Sequence, residues 1–149
     1  MKSKPVRGNN IRDIQGFLAI KKLKRPLIGA NVAAGFPSPA QDYIEKNIDL
    51  NEHLITHPAA TFFVRVEGES MIGSGIFDND VLIVDRALEA ANNNVIVAVL
   101  NGELTVKKLK ITQNCWSLLP SNPVFPEIVI TEDTDFSVWG VVTYCLHKL

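Results

Sequence analysis

Several features that would place this chain in other classes of protein are scarce or missing from its sequence. It has two cysteines, Cys115 and Cys145, which are too few and too far apart for the disulfide framework of a secreted domain. No run approaches the roughly 18–20 apolar residues that a membrane-spanning helix needs. No apolar stretch of a secretory signal follows the basic start MKSKPVRGNN. We therefore expect a cytoplasmic protein with no membrane segment.

Patterns for metal binding, phosphate binding and histidine-based catalysis are missing too. The three histidines, His53, His57 and His147, accompany no G-x-S-x-G nucleophile elbow. Cysteine and histidine have no metal-ligand spacing, and no glycine-rich phosphate loop is present. The sequence thus predicts no metal and no cofactor, and surface or structural roles for the histidines.

The composition is that of one globular domain, but its charge is unevenly distributed. Of the 149 residues, 46% are hydrophobic and 21% are charged. Residues 1–34 carry eight basic side chains and one acidic side chain, a net charge of 8 − 1 = +7. The rest of the chain carries seven basic and 15 acidic side chains, a net charge of 7 − 15 = −8. The basic part could contact nucleic acid or an acidic partner, or it could fold back on the acidic body. It is too short for a packed helix-turn-helix, so direct DNA binding is not expected.

The first third of the chain has weak helical signals. Residues 1–37 have helical spacing that a glycine interrupts and a proline ends, which predicts a flexible basic arm with at most one marginal helix. The capping signals Ser38-Pro39-Ala40-Gln41 predict a short helix over about 39–47. A second signal at Asp49, stopped by Pro58, predicts another short helix.

The remainder has a strand pattern, and residues 38–149 are predicted to form one mainly β domain. Segments rich in β-branched and aromatic residues alternate with turn-forming residues, which favours a compact, largely antiparallel β structure. There are seven of these segments: TFFVRV, DVLIVD, NVIVAVL, ELTVKKLKI, CWSLLP, EIVI and DFSVWGVVTYCL.

One candidate for chemistry is Ser70, in Gly68-Glu69-Ser70-Met71. It lies between the end of a predicted strand and a glycine-rich turn, so that its hydroxyl can project from the scaffold. Successive backbone N–H groups around such a turn can converge on an oxyanion. Taken alone, the pattern fits a plain hairpin loop with a solvated serine better.

A second candidate is Lys107, in the predicted strand ELTVKKLKI. Strand alternation places Thr105 and Lys107 on one face and Lys108 on the other, so one of the adjacent lysines faces inward in a two-sided fold. Burial lowers the pKa of a lysine, which can then take a proton from a serine. Two solvent-facing lysines on a twisted strand would explain the same residues, and locally that explanation is favoured.

Four segments, taken together, favour the catalytic interpretation of Ser70 and Lys107. In chain order they are VAAGFPSPA (32–40), GESM (68–71), DNDVLIVD (78–85) and ELTVKKL (103–109). With these segments the chain resembles, over about residues 32–149, the LexA-type self-cleaving proteases of peptidase family S24, most closely the UmuD-like mutagenesis proteins of the bacterial SOS response. Asn79 departs from the glycine usual in relatives, but asparagine also adopts the left-handed conformation that a tight turn needs.

The resemblance implies a fold, a reaction and a set of site residues. The fold is the LexA/signal-peptidase-like β domain with short helices and a flexible N-terminal arm. The scissile bond falls at Ala34-Gly35 within the cleavage segment 32–37, Ser70 is the nucleophile and Lys107 the general base. The backbone N–H groups of Glu69 and Ser70 would form the oxyanion hole. Thr105 would support the Lys107 amine, and Val32 would anchor the cleavage segment in an apolar groove.

The resemblance also implies partners. In relatives a RecA filament on single-stranded DNA stimulates self-cleavage, and the trimmed product joins an error-prone UmuC-like polymerase. A homodimer is expected, with the apolar C-terminal strand VWGVVTYCL as one candidate surface. Two alternatives stay open: a non-cleaving dimeric polymerase accessory scaffold, and a small LexA-like transcriptional repressor. A membrane-bound Ser-Lys signal peptidase is disfavoured, because no membrane segment is predicted.

Overall fold

The computed structural model describes residues 10–16, 24–28 and 44–149. Val32, Ala34 and Gly35, with the rest of the predicted cleavage segment, lie outside the described residues. The described elements fall into two compact units, one holding the first strand together with residues 59–149, the other holding the elements between residues 24 and 58. The elements are β1 (Asn10–Gly16), β2 (Lys24–Ile28), β3 (Ile44–Asp49), α1 (Leu50–Leu54), β4 (Thr61–Glu67), β5 (Val81–Asp85), β6 (Val95–Leu100), β7 (Glu103–Ile111), β8 (Trp116–Leu119), β9 (Ile128–Ile130) and β10 (Phe136–Leu146), with 3-10 turns at Pro58–Ala60 and Ile72–Ser74.

The larger unit is an antiparallel β sheet that closes on itself. Its strand order is β1-β4-β5-β10-β6-β7-β8-β9, and β1 also pairs with β7 at Asn10 and Thr105. Six strands therefore form a closed ring, and β8 and β9 extend beyond it. The predicted mainly β, LexA-like fold is confirmed, and each of the seven predicted strands is present as β4 to β10.

One long strand joins the two halves of this sheet. The first part of β10, Phe136–Val141, pairs with β6, and its second part, Val141–Leu146, pairs with β5. Gly140 lies near the point where the two parts meet. A Cβ at this position would come within 2.6 Å of a Val84 side-chain carbon, so only glycine fits there without a shift. A side chain larger than hydrogen would push β10 away from β5.

The core consists of two clusters of buried apolar side chains. Because strands of a closed sheet bury alternate residues on its inner face, the cluster members recur every second position along β4 and β5. The first cluster is Val64, Val66, Met71, Ile76, Leu82, Val84, Val97 and Val106. The second is Ile96, Ala98, Leu109, Leu118 and Val141.

The smaller unit contains a two-stranded sheet and one short helix. β2 and β3 pair antiparallel, and α1 begins after Asp49, whose carboxylate accepts the Asn51 N–H at 2.9 Å. The capping signal at Asp49 was thus interpreted correctly, although the helix ends at Leu54, before His57.

Two helix predictions in the first third are wrong where the structure describes the chain. Residues 44–47 belong to β3, not to a helix, and Asn10–Gly16 forms β1 where weak helical spacing was predicted. Short helices are marginal in water, and pairing with another strand satisfies the same backbone groups. The predicted division at residue 37 remains a prediction, because residues 29–43 are not described.

Candidate active site

Ser70 lies in the loop after β4. Gly68, one residue beyond β4, has a φ of 105°, a conformation that glycine adopts without steric cost, and its N–H donates to the Asp78 carboxylate at 2.8 Å. Ser70 and Met71 are fully buried, whereas Glu69 between them and the strand is exposed. The chain therefore turns sharply enough to direct the serine inward instead of into solvent.

Lys107 reaches Ser70 from β7. Its side chain is 6% exposed, and its Nζ lies 2.9 Å from Ser70 Oγ. The same nitrogen lies 3.1 Å from Thr105 Oγ1 and 3.0 Å from the Val106 carbonyl oxygen. The inward-facing lysine of the adjacent pair is thus Lys107, and Thr105 contacts its amine as predicted.

Core packing holds these two side chains together. Met71 follows Ser70 and Val106 precedes Lys107, and both are fully buried members of the same apolar cluster. Because successive side chains of a strand point to opposite faces, burying Val106 in the cluster directs Lys107 to the other face of β7. The hydrophobic core therefore sets the distance between the polar atoms.

The surroundings of Lys107 favour its neutral form. Burial lowers the pKa of its amine from 10.5 to about 8. A neutral amine has two N–H donors and one lone pair. The Val106 carbonyl can only accept, so donation to it and to Thr105 leaves the lone pair for the Ser70 hydroxyl proton. The contacts match an amine that acts as a base.

We expect this arrangement to cost stability at neutral pH. In a Ser70→Ala background, the Lys107→Met variant should have a larger free energy of unfolding at about pH 7.5 than the protein that keeps Lys107. The difference between the two free energies should shrink by about 2 kcal/mol by about pH 9.5. The sign follows from proton binding: between about pH 8 and 10.5 the unfolded lysine holds a proton that the folded lysine has lost, so stability rises with pH. Urea unfolding at several pH values measures this, and a pH-independent difference would contradict the lowered pKa.

A segment not predicted from the sequence holds the loop that carries Ser70 in place. After β8, Ser121 donates its N–H to the Ser70 carbonyl at 2.7 Å and accepts the Gly73 N–H at 2.7 Å. Asn122 donates its side-chain amide to the Glu69 carbonyl at 3.0 Å. The only signal in the sequence was the turn SNP, which gives no indication of what the turn contacts.

Comparison with known proteins identifies the family. The model of the Peptidase S24-like family matches residues 26–143. The protein MucA of Salmonella typhimurium is 43% identical over 123 residues, 81% of this chain and 83% of the relative. The protein ImpA of Shigella flexneri is 41% identical over 124 residues, 83% of this chain and 84% of the relative. The chain belongs to the Peptidase S24-like family.

A more distant relative is the LexA repressor of Xylella fastidiosa. It is 40% identical over 123 residues, which are 83% of this chain and 56% of the repressor. The resemblance inferred from the sequence motifs is therefore confirmed, and the S24-like chain is similar to UmuD-like proteins over most of its length.

The carbonyls flanking Ser70 are fixed in this S24-like site, but the oxyanion hole itself remains a prediction. The Glu69 carbonyl accepts from Asn122 and the Ser70 carbonyl from Ser121. The contact with Asn122 restricts the peptide unit that carries the Ser70 N–H, one of the two N–H groups assigned to an oxyanion. Val32, Ala34 and Gly35 cannot be placed against them, because they lie outside the described residues.

Asp80, in the segment after the nucleophile loop, anchors the end of β10. Its buried carboxylate lies 2.6 Å from His147 Nδ1 and accepts from Cys145 Sγ at 3.2 Å. Burial acts to raise the Asp80 pKa, but hydrogen bonds from the Phe77 N–H, His147 and Cys145 outweigh it and lower the pKa. Burial, together with Asp80, raises the pKa of the Cys145 thiol to about 12, so this thiol is a poor nucleophile.

No metal cluster and no membrane helix are found among the residues that the structure describes. No three His, Cys, Asp or Glu side chains in the described ranges lie together as metal ligands would. None of the helices in this part of the chain is both long enough and apolar enough to cross a bilayer.

Proposed function

We propose that this S24-like chain is a self-cleaving serine peptidase that cuts its own Ala34-Gly35 bond, with Ser70 as nucleophile and Lys107 as general base. The observation that carries the proposal is the buried contact of 2.9 Å between Lys107 Nζ and Ser70 Oγ. Membership of a serine peptidase family supports it.

The first half of the reaction forms an acyl-enzyme. The neutral amine of Lys107 takes the Ser70 proton as Oγ attacks the Ala34 carbonyl carbon. The N–H groups of Glu69 and Ser70 would stabilise the resulting oxyanion. When the tetrahedral intermediate collapses, the bond between Ala34 and Gly35 breaks, and the Lys107 ammonium returns its proton to the departing Gly35 amine.

The second half releases the enzyme. Lys107, neutral again, takes a proton from water as the water oxygen attacks the ester between Ser70 and Ala34. Collapse of that intermediate returns the proton to Ser70 Oγ and frees the Ala34 carboxyl group. The products are a fragment ending at Ala34 and a chain beginning at Gly35, and the second of these contains the proposed protease domain 38–149.

Tethering the scissile bond to the enzyme explains how a weak base suffices. Holding two reacting groups in one molecule is worth up to ~7–11 kcal/mol of the barrier when they are well oriented. With a pKa of about 8, the Lys107 amine is mostly protonated at neutral pH, which slows cleavage about tenfold, and the intact chain would persist while the segment around Val32 is undocked.

The partners belong to the same proposal. Similarity to UmuD-like proteins supports a role in SOS mutagenesis, with a RecA filament on single-stranded DNA favouring the docked state and a UmuC-like polymerase receiving the trimmed chain. Tyr144 and Leu146 of β10 are 43% and 46% exposed, which supports a homodimer through this strand.

Self-cleavage of the purified chain should speed up with pH. Raising the pH from 7 to 9 increases the neutral fraction of an amine with a pKa of about 8 from about one tenth to about nine tenths. We therefore expect a roughly tenfold higher rate constant, with a plateau above about pH 9. Mass spectrometry of the products over time measures the rate and identifies Gly35 as the new N-terminus.

The same assay separates the alternatives. A rate that stays flat between pH 7 and 9, or that climbs until pH 10.5, would contradict a buried lysine base. An intact chain after incubation with RecA, nucleotide and single-stranded DNA would support the non-cleaving accessory scaffold. A sequence-selective DNA complex that weakens with salt would instead support the repressor.

A further inference from the structure

We infer that Asn122 is a positioning residue for the nucleophile loop: its side-chain amide, by holding the Glu69 carbonyl, orients the N–H of Ser70 toward the oxyanion. The inference rests on the proposed function and adds a residue that the dyad alone does not include. Asn122 is 8% exposed, and its Nδ2 donates to Glu69 O at 3.0 Å, closer than the one backbone donor to that oxygen, the Ile72 N–H at 3.4 Å.

The peptide bond between Glu69 and Ser70 is planar. The Glu69 C=O and the Ser70 N–H belong to one planar unit and point in opposite directions in a trans peptide, and the described residues contain no cis peptide. A donor that fixes the carbonyl oxygen on one side therefore fixes the direction of the N–H on the other. Asn122 thereby acts on the Ser70 N–H through the Glu69 carbonyl that it holds.

The next peptide unit is held from the same segment. Ser121 donates its N–H to the Ser70 carbonyl at 2.7 Å, so the peptide units on both sides of the Ser70 Cα are fixed by two successive residues. With both planes fixed, the φ and ψ of Ser70 are fixed too, and with them the direction in which Cβ carries the hydroxyl toward Lys107.

Asn122 is itself held rigidly enough for this role. Its Oδ1 accepts the Val124 N–H at 3.1 Å, which is an Asx turn across Pro123. One end of the side-chain amide thus secures its own loop and the other end secures the nucleophile loop. The two ends can be tested separately, because Asp retains the acceptor but has no N–H to donate.

The test compares Asn122→Asp and Asn122→Ala with the wild-type full chain. We expect both to lower the plateau of the self-cleavage rate by about 10–100-fold, somewhat less than removal of an oxyanion donor costs. In Asn122→Ala the midpoint of the pH profile should stay near pH 8, because burial of Lys107 is unchanged. A midpoint that moves toward 10.5 would show that the amine had become hydrated, a merely structural effect, and would overturn the inference.

A second readout does not depend on self-cleavage. A fluorophosphonate labels an activated serine: the bond from Oγ to phosphorus forms, fluoride leaves, and the serine proton passes to the base. We expect labelling of Ser70, followed by mass spectrometry, to slow in both variants by a similar factor. Asn92→Ala is the matched control, since Asn92 is exposed and its side chain accepts the Ile111 N–H at 2.7 Å, and it should label at the wild-type rate.

The outcomes separate this inference from the proposed function. A wild-type chain that is labelled at Ser70 but never cuts itself would contradict self-cleavage, while the labelling ratio would still test Asn122. Wild-type labelling and cleavage rates in Asn122→Asp would show that only the Asx turn matters, and would overturn the inference. A chain whose Ser70 neither cuts nor labels would overturn both.

Discussion

Replacing Ser70 by Ala is expected to leave the Ala34-Gly35 bond intact under conditions in which the wild-type chain is fully cut. Removing a catalytic nucleophile costs at least ~10³-fold in rate, because no other group can form the acyl intermediate. The lost hydroxyl is small and buried, and Ala fits its place, so the fold should be retained. Intact mass over a long incubation at pH 9, with circular dichroism as the check on folding, measures the effect.

Lys107→Ala and Lys107→Arg should be as inactive as Ser70→Ala. Alanine removes the base, whereas arginine keeps a positive charge that cannot be given up at these pH values. Lys108→Ala is the matched control, since Lys108 is the neighbouring lysine on the opposite face of β7 and should cut at the wild-type rate. Normal cleavage by either Lys107 variant would require another base and would refute the proposed dyad.

Gly73→Ala is also expected to have a large effect, although Gly73 carries no chemistry. A Cβ on Gly73 would lie 2.4 Å from the Ser121 carbonyl oxygen, a backbone atom that cannot rotate away. The substitution must therefore separate the two loops and break the Gly73 N–H bond to that oxygen. We expect a loss of about 2–4 kcal/mol in the free energy of unfolding and a fall of at least about 100-fold in the cleavage rate.

Gly75→Asn is the control for this prediction. Gly75 has a φ of 74°, which asparagine tolerates better than most residues, and a Cβ there meets nothing within 4 Å. It should cost about 1 kcal/mol or less and leave the cleavage rate within a few-fold of wild type. Urea unfolding and the cleavage assay would be run on both variants, and equal losses would mean that the nucleophile loop is merely sensitive to any substitution.

The strands of the barrel could be predicted because their signals are local. β5 and β6 consist almost entirely of β-branched and other aliphatic residues and are bounded by turn residues, so alternation and composition indicate the same structure. The Ser70–Lys107 pair needed one more inference, that two adjacent lysines on a strand point to opposite sides, so that one of them faces inward in a two-sided fold. The family motifs then selected Lys107.

The remaining features depend on contacts between residues far apart in the sequence. β1 gains its hydrogen bonds from β4, about fifty residues later, and nothing within residues 10–16 indicates that partner. Asn122 in its turn sequence resembles any surface asparagine, and only folding brings it to the Glu69 carbonyl. Where pairing across the fold overrode a weak helical signal, as in residues 44–47, prediction from the local pattern failed.

The position of β1 gives a cut at Ala34-Gly35 a consequence beyond the loss of an N-terminal peptide. The covalent connection from β1 to β4 runs through that bond, so after the cut the N-terminal fragment would be held by the pairing of β1 with β4, from Asn10–Glu67 to Gly16–Phe62, by the single pair of β1 with β7, and by the pairing of β2 with β3. Departure of the fragment would uncover a row of unsatisfied N–H and C=O groups along β4. Such an edge recruits a strand from another chain, so proteolysis would convert a self-contained barrel into one open to intermolecular β-augmentation.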